Sequence, residues 1–233
     1  MQKMTLRKAN ADRKVIDKDV QRLIRELTGG EKGLIAYYRK VRPIIGTLTP
    51  QEVEDDIKSL WQKLNDLIAR REKLNKVVMK GYSGAATFED SFMVEVPVFK
   101  SLDQIDETAT EKISISAAIA RKAYYSKVLL DLLANLSQAV NMKVRAFEKE
   151  QTKLEQELKN QVNAQFGPES STNAKGRVEY ADHIKGDYEL VLIDPLKIVK
   201  KLDEASEKVR EYVANIDSKI SNATEINEVE VDD

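Results

Sequence analysis

The sequence predicts a mainly α protein, an elongated antiparallel helical bundle or coiled coil with a small β excursion. Three observations predict it. One third of the 233 residues are charged and only 6% are aromatic, with 9 Gly and 5 Pro, which is the composition of long helices washed by solvent. Apolar residues recur at steps of three and four along four segments, the period of a narrow buried helical stripe. Between residues 81 and 113 that period gives way to one of two, the signature of strands.

The first helix extends from about Thr5 to Leu27 on Ile16, Val20, Leu23 and Leu27, and Gly29-Gly30 ends it. In GLIAYYRKVRPIIGTL, residues 33–48, the apolar residues lack a clear period and Pro43 forbids an ordinary helix. That segment reads as a connector with its own small apolar cluster. Residues 1–48 thus form a first division, a basic helix plus connector, with 12 Lys/Arg against 5 Asp/Glu. Residues 49–233 form the body.

The body opens on a strong start signal: Thr49 as N-cap, Pro50 at the first helical position and Glu52 completing a capping box. Ile57, Leu60, Leu64, Leu67, Arg71, Leu74 and Val78 then form a seam of coiled-coil type with one charged interruption, reaching about Lys80. A β insert at about 85–115 follows, with ATFED, FMVEVPVF and EKISI as short strands and Pro97 marking a sheet edge. From about Ser114 to Phe166 one long helix carries Ile119, Leu129, Leu133, Leu136, Val140, Val144, Phe147, Leu154 and Leu158. Consecutive steps of four at Leu136, Val140 and Val144 mark a stutter in its heptads. At 1.5 Å per residue this helix spans roughly 75 Å, more than a compact domain of this length offers, so cover for its seam is expected from a second copy.

FGPESSTNAKGRVEY, residues 166–180, is a loop by composition, and YELVLI, residues 188–193, reads as a strand. Asp194-Pro195 caps a last helix whose stripe is Ile198, Leu202, Ala205, Val209, Tyr212 and Ile216. Ser221 and Asn222 are expected to end that helix. The tail 224–233, with 5 acids and no base, then extends, and Ile226, Val229 and Val231 dock it as an edge strand on the β insert.

Composition excludes much chemistry. Without cysteine there is no disulfide, thiolate metal site or Cys nucleophile, and His183 is the sole imidazole, read as a surface residue. GGEKG at 29–33 lacks the phosphate-loop spacing. No window approaches eighteen uninterrupted apolar residues and the charged start has no apolar leader, so the expected location is the cytoplasm. Arg71 needs solvent or a carboxylate, which the long helix could supply. Arg121-Lys122 before Tyr124-Tyr125, and Tyr37-Tyr38 before Arg39-Lys40, pair aromatics with bases as single-strand binding sites do. Adjacent helical residues point about 100° apart, however, and a net charge of −1 argues against nucleic acid.

LNDLIARREKLNKVV, a β excursion, ISAAIARKAYYSKVLLDLL, a long charged helix, DPLKIVKKLDE and the closing SKISNATEINEVEV occur in an order that resembles the septicolysin-like family of bacterial and phage proteins. The resemblance covers roughly residues 50–233 and is most specific at Ile119-Ala120-Arg121-Lys122, Asp194-Pro195-Leu196 and Ser221–Ile226. The stretch Ala85–Glu111 is longer than the family's hairpin, and residues 28–48 have no counterpart in it. The resemblance implies an elongated, mostly helical, oligomeric protein of phage or prophage origin, with a phage particle as the alternative location to the cytoplasm. It carries over no catalytic or pore-lining residue.

The expectation is therefore a non-enzymatic structural or interaction protein, without cofactor or metal, that assembles with itself. Its seam is Ile57, Leu60, Leu64, Leu67, Arg71, Leu74, Leu129, Leu133, Leu136, Val140, Leu202, Val209 and Ile216. A second reading is a membrane-active, haemolysin-like pore former, the only reading that brings in a membrane; narrow Leu/Ile/Val seams fit interfacial insertion poorly. A third is an inhibitor or adaptor that presents its β end to a host protein.

Overall fold

A computed structural model describes residues 5–29, 33–83, 93–102, 104–167 and 174–226, and the protein is mainly helical with two small two-stranded sheets. The chain divides into two compact units, one from residues 1–30, 61–137 and 199–233, the other from 31–60 and 138–198.

In the first unit, α1 (Leu6–Gly29) lies antiparallel to the later turns of α2 (Pro50–Ser83), as the contacts Arg13 to Asn75 and Asp17 to Arg71 require. The stripe Ile16, Val20, Leu23 and Leu27 is buried, as the spacing predicts. β2 (Met93–Ser101) and β3 (Gln104–Ser114) pair as an antiparallel hairpin. Its register shifts between Pro97 and Val98, and the inward set changes there from Val94 and Val96 to Phe99. A strand alternates faces every residue, so an irregularity is needed to keep Phe99 inside after Val96. Ser114 then caps α3 (Ile115–Tyr124) by accepting from the Ala117 N–H at 3.3 Å. The predicted strand ATFED lies outside the described residues.

The long helix from Ser114 to Phe166 is interrupted once. Tyr125–Leu129 is a π segment that joins α3 to α4 (Leu130–Phe166), and the Leu130 N–H reaches the Tyr125 carbonyl. The buried positions explain it. Ala117, Arg121, Tyr125, Leu129 and Leu133 are spaced by fours, and each such step overshoots an α-helical turn by about 40°. One wider π turn absorbs the drift. The phase change therefore sits upstream of the expected stutter, and the seam residue Ile119 is 53% exposed.

In the second unit, β1 (Ala36–Arg39) pairs antiparallel with β4 (Leu190–Ile193), matching Ala36 with Ile193 and Tyr38 with Val191. The segment expected to be a pure connector thus supplies a strand as well as the apolar cluster, in which Ala36, Tyr38, Ile45 and Leu48 pack on Val53, Ile57 and Ile193. The opposite face of β1 puts Tyr37 edge-on to Phe147 of α4 at 5.6 Å. The start of α2 is as predicted: Thr49 N–H donates to Glu52 at 2.8 Å, and Glu52 N–H returns to Thr49 Oγ1 at 3.4 Å. This bond holds the Glu52 carboxyl below its ordinary pKa.

Three expectations are corrected. Residues 174–184, within or beside the stretch read as loop, form α5 (Ala174–Ile184), because Arg177 donates to Asn163 at 2.6 Å and Tyr180 meets Phe166 at 5.4 Å; tertiary contacts override a Gly-containing local sequence. α6 (Ile198–Ile226) starts three residues beyond Pro195: Asp194 does cap it, accepting from the Ile198 N–H at 2.8 Å, but Pro195 and Leu196 form a turn and Lys197 takes φ +50°. At its far end α6 continues through Asn222 to Ile226 instead of releasing an extended tail. Ser221, Asn222 and Thr224 each weaken a helix by only a fraction of a kcal/mol, about 0.7 at most, and neither Gly nor Pro is there to stop it. Ile226 is therefore helical and not part of a docking strand, while Val229 and Val231 lie outside the described residues.

Candidate functional site

The densest chemistry in the chain is a buried cluster in the first unit, centred on Arg121. It grows from α3, whose buried positions are Ala117, Ala118 and Arg121. Arg121 Nη2 meets Glu72 Oε1 of α2 at 2.9 Å, and its Nη1 donates to Glu111 Oε1 of β3 at 2.9 Å and to the Tyr212 hydroxyl of α6 at 3.2 Å. Tyr125, the first residue of the π segment, donates its hydroxyl to Glu72 Oε2 at 2.9 Å. Lys76 reaches Glu111 at 3.2 Å from the more exposed side. Two carboxylates thus face two cations.

An aromatic wall closes the cluster. Tyr125 and Tyr212 stand edge to face at 5.1 Å, and Phe99 from β2 lies 4.8 Å from Tyr125 and 5.8 Å from Tyr212. The hairpin is pinned over this wall by its turn, where the Leu102 N–H donates to Asn65 Oδ1 of α2 at 3.1 Å. A second pair lies beside it, on the sequence neighbours of Glu72 and Tyr125. Arg71 Nε bonds Asp17 of α1 at 2.7 Å, and its guanidinium lies over the Tyr124 ring, 3.1 Å from the centroid. The seam arginine therefore takes its carboxylate from α1, and the long helix offers it an aromatic face instead.

Burial dominates the electrostatics. It works to lower the Arg121 pKa, but Glu72, Tyr212 and Glu111 together outweigh it, and the guanidinium is held firmly protonated. Burial raises the hydroxyl of Tyr125 well above its ordinary value, with Glu72 adding to the effect, and raises Tyr212 against the opposing pull of Arg121. Tyr124 is pushed up to about 12 by burial. All three phenols stay neutral at physiological pH. The Glu72–Arg121 contact is an ion pair off the hydrogen-bond direction, and among the described residues neither Glu72 Oε1 nor Arg121 Nε has a hydrogen-bond partner.

This arrangement can fix the register of α2, α3, β3 and α6, since each supplies one part of a charge pattern that tolerates no slip. It offers no free nucleophile, and among the described residues no group of His, Asp or Glu is set to hold a metal ion. His183 is exposed on α5. Arg121 and Tyr125, 3% and 1% exposed, are out of reach of a nucleic acid base, and Lys122 is paired with Asp217. No family model, curated protein or solved structure matches the chain.

Of the seam residues expected from sequence, Ile57, Leu64, Leu129, Leu133, Leu136, Val140, Leu202, Val209 and Ile216 are buried within one chain, as is Arg71. Leu60, Leu67 and Leu74 remain partly exposed. In their place Trp61, Ile68 and Asn75, one residue further on, are buried. Both lines share Ile57, Leu64, Arg71 and Val78, and a stripe wider than a/d explains the choice. Glu72 and Glu111 escaped the sequence reading. The available signal was Arg121, four residues from both Ala117 and Tyr125 on a buried stripe, where a lone charge demands buried carboxylates.

Proposed function

We propose that this chain is a non-catalytic interaction protein that assembles with copies of itself along α2, in keeping with its resemblance to septicolysin-like proteins. One observation carries the reading: Leu60, Leu67 and Leu74, exactly one heptad apart in sequence, stay partly exposed on a helix whose other line is buried in its own chain. Val77 extends the line and is 47% exposed. Lys63 and Arg70 are exposed between the leucines, the pattern of a seam flanked by charge. Beside Leu67 a shallow groove of about 250 Å³ is lined by Asp19, Arg22, Leu23, Glu26 and Lys63, which supplies both signs of charge for a partner helix. Burial of the Arg121 cluster, with its charges spent on one another, supports a role in holding shape over a role in catalysis.

Light scattering of the wild-type chain against the double variant Leu67→Glu/Leu74→Glu tests the proposal. The wild type is expected to be oligomeric at micromolar concentration and the variant monomeric, with circular dichroism unchanged because both leucines are only partly covered. A monomeric wild type refutes it, and so does a variant that stays oligomeric.

A further inference from the structure

α1 gives one line of its surface wholly to cations. Its buried stripe is Ala9, Ile16, Val20, Leu23 and Leu27. Arg7, Lys14, Lys18 and Arg25 are seven, four and seven residues apart, so at 100° per residue they fall within about 40° of one another, on the side away from that stripe. All four are exposed. At 1.5 Å per residue the row is about 27 Å long. Between Arg7 and Lys14 the small side chain of Ala11 leaves a shallow hollow of about 490 Å³, lined also by Leu6 and Asn10.

None of the four cations has an ion pair among the described residues, although the chain holds 39 Asp/Glu against 38 Lys/Arg. On other helices exposed cations sit beside acids, as Lys58 does with Glu54, Lys175 with Glu179 and Lys200 with Glu204. A surface that mixes the signs cancels its own field, and an unmixed row offers that field to an anion. The nearest acids of α1 lie off the row. Asp17 on one flank is spent on Arg71, and Asp19 and Glu26 on the other flank face Arg22.

The shape of the row selects among anions. A straight line of charge on a convex helix touches a flat surface along its whole length. A nucleic-acid groove embraces a helix on both flanks and would press Asp17, Asp19 and Glu26 against phosphates. Single strands are held by stacking on aromatic rings, and α1 has none. Val15 is the one large apolar side chain of α1 that is exposed, and it lies about 75° off the row. Contact is therefore with headgroups and not with hydrocarbon, unlike that of an amphipathic helix that inserts.

We propose that α1 docks the protein on an anionic lipid surface, with Arg7, Lys14, Lys18 and Arg25 laid along a plane of headgroup phosphates and no side chain inserted. The row is distinct from the leucine line of α2, and it lies outside residues 50–233, which carry the resemblance to septicolysin-like proteins.

Titration of the full chain with phosphatidylcholine vesicles, with and without phosphatidylglycerol, read by flotation, tests the proposal. Each basic residue at such a surface is worth about fivefold in affinity, so the four together predict binding on the order of several hundredfold tighter to the phosphatidylglycerol vesicles. Lys14→Gln/Lys18→Gln should weaken that binding about 25-fold, whereas Lys14→Arg/Lys18→Arg should keep it. Both lysines are exposed, so circular dichroism should not change. Lys175→Gln/Lys200→Gln, which removes the same charge from exposed positions on other helices, should leave the affinity within about twofold of the wild type. No binding, equal affinity for the two kinds of vesicle, a row variant that binds as the wild type does, or an off-row variant that loses as much as the row variant overturns the proposal. So does binding that survives about 1 M salt, where the screening length is about 3 Å. Release of a trapped dye overturns it as well, because the row carries nothing to insert. A DNA duplex bound more tightly than the vesicles at equal phosphate concentration overturns it in favour of nucleic acid.

Discussion

Replacing Arg121 by methionine tests the most buried charge in the first unit. The Arg121 and Glu72 side chains are 2% and 4% exposed, so the substitution strands a carboxylate whose one remaining support is the Tyr125 hydroxyl at 2.9 Å. Glu111 suffers less, being 21% exposed and still in contact with Lys76 at 3.2 Å. Removing one member of a buried pair costs about 3–5 kcal/mol, and Arg121→Met is expected in that range. Glu72→Met should cost less, about 2–3 kcal/mol, because Arg121 keeps its bond to Glu111. The double variant Arg121→Met/Glu72→Met leaves no stranded charge between the two and should fall within about 1–2 kcal/mol of the wild type. Urea denaturation of the four proteins completes the cycle. A cost below about 1 kcal/mol for Arg121→Met would refute the reasoning, since Glu72 would then have found water that a closed cluster excludes.

Two further outcomes follow from the same geometry. The raised phenols predict alkaline sensitivity: stability should hold below about pH 10, then fall as pH climbs towards about 12, where the unfolded chain ionises tyrosines that the folded chain keeps neutral. Melting temperatures recorded across that window, with tyrosinate absorbance as the second readout, check it; a flat profile from pH 9 to about 12 contradicts the burial described. Thr49→Ala removes the hydroxyl half of the capping box that starts α2, leaving the residue-49 N–H to Glu52, and should lower the melting temperature by about 2–4 °C, measured by circular dichroism.

What the sequence conveyed depended on whether the signal was local. The capping box at Thr49, the α1 and α6 stripes and the end of α4 at Phe166 are set by neighbouring residues, and the structure has them where the spacing puts them. β1 was hidden because Ala36–Arg39 becomes a strand only through pairing with β4, more than 150 residues later. The Arg121 cluster was hidden for a related reason. Its members come from α2, β3, α3 and α6, and no spacing along one helix announces that Glu72 and Glu111 converge on a single guanidinium. On α2 the apolar leucines at 60, 67 and 74 drew attention away from Trp61 and Asn75, yet the buried line includes a polar amide because Arg13 of α1 donates to it at 3.0 Å. The tail misled differently. Asn222 invites a stop, but an invitation worth tenths of a kcal/mol, roughly, does not end a helix already extended by six turns.

The π segment at Tyr125–Leu129 works as a phase adjuster whose setting is one residue. Deleting Lys127 or Val128 would let the segment close as regular α-helix, because the π turn holds one residue more than an α turn. The downstream phase would survive: Leu133 and Leu136, each 1% exposed, would stay on the side that Arg121 shares with Glu72. A deletion in the regular helix on either side has no such reserve and would turn everything after it by about 100°. The segment is therefore the stretch between Arg121 and Leu133 where the count can fall by one without moving the apolar residues off the buried side.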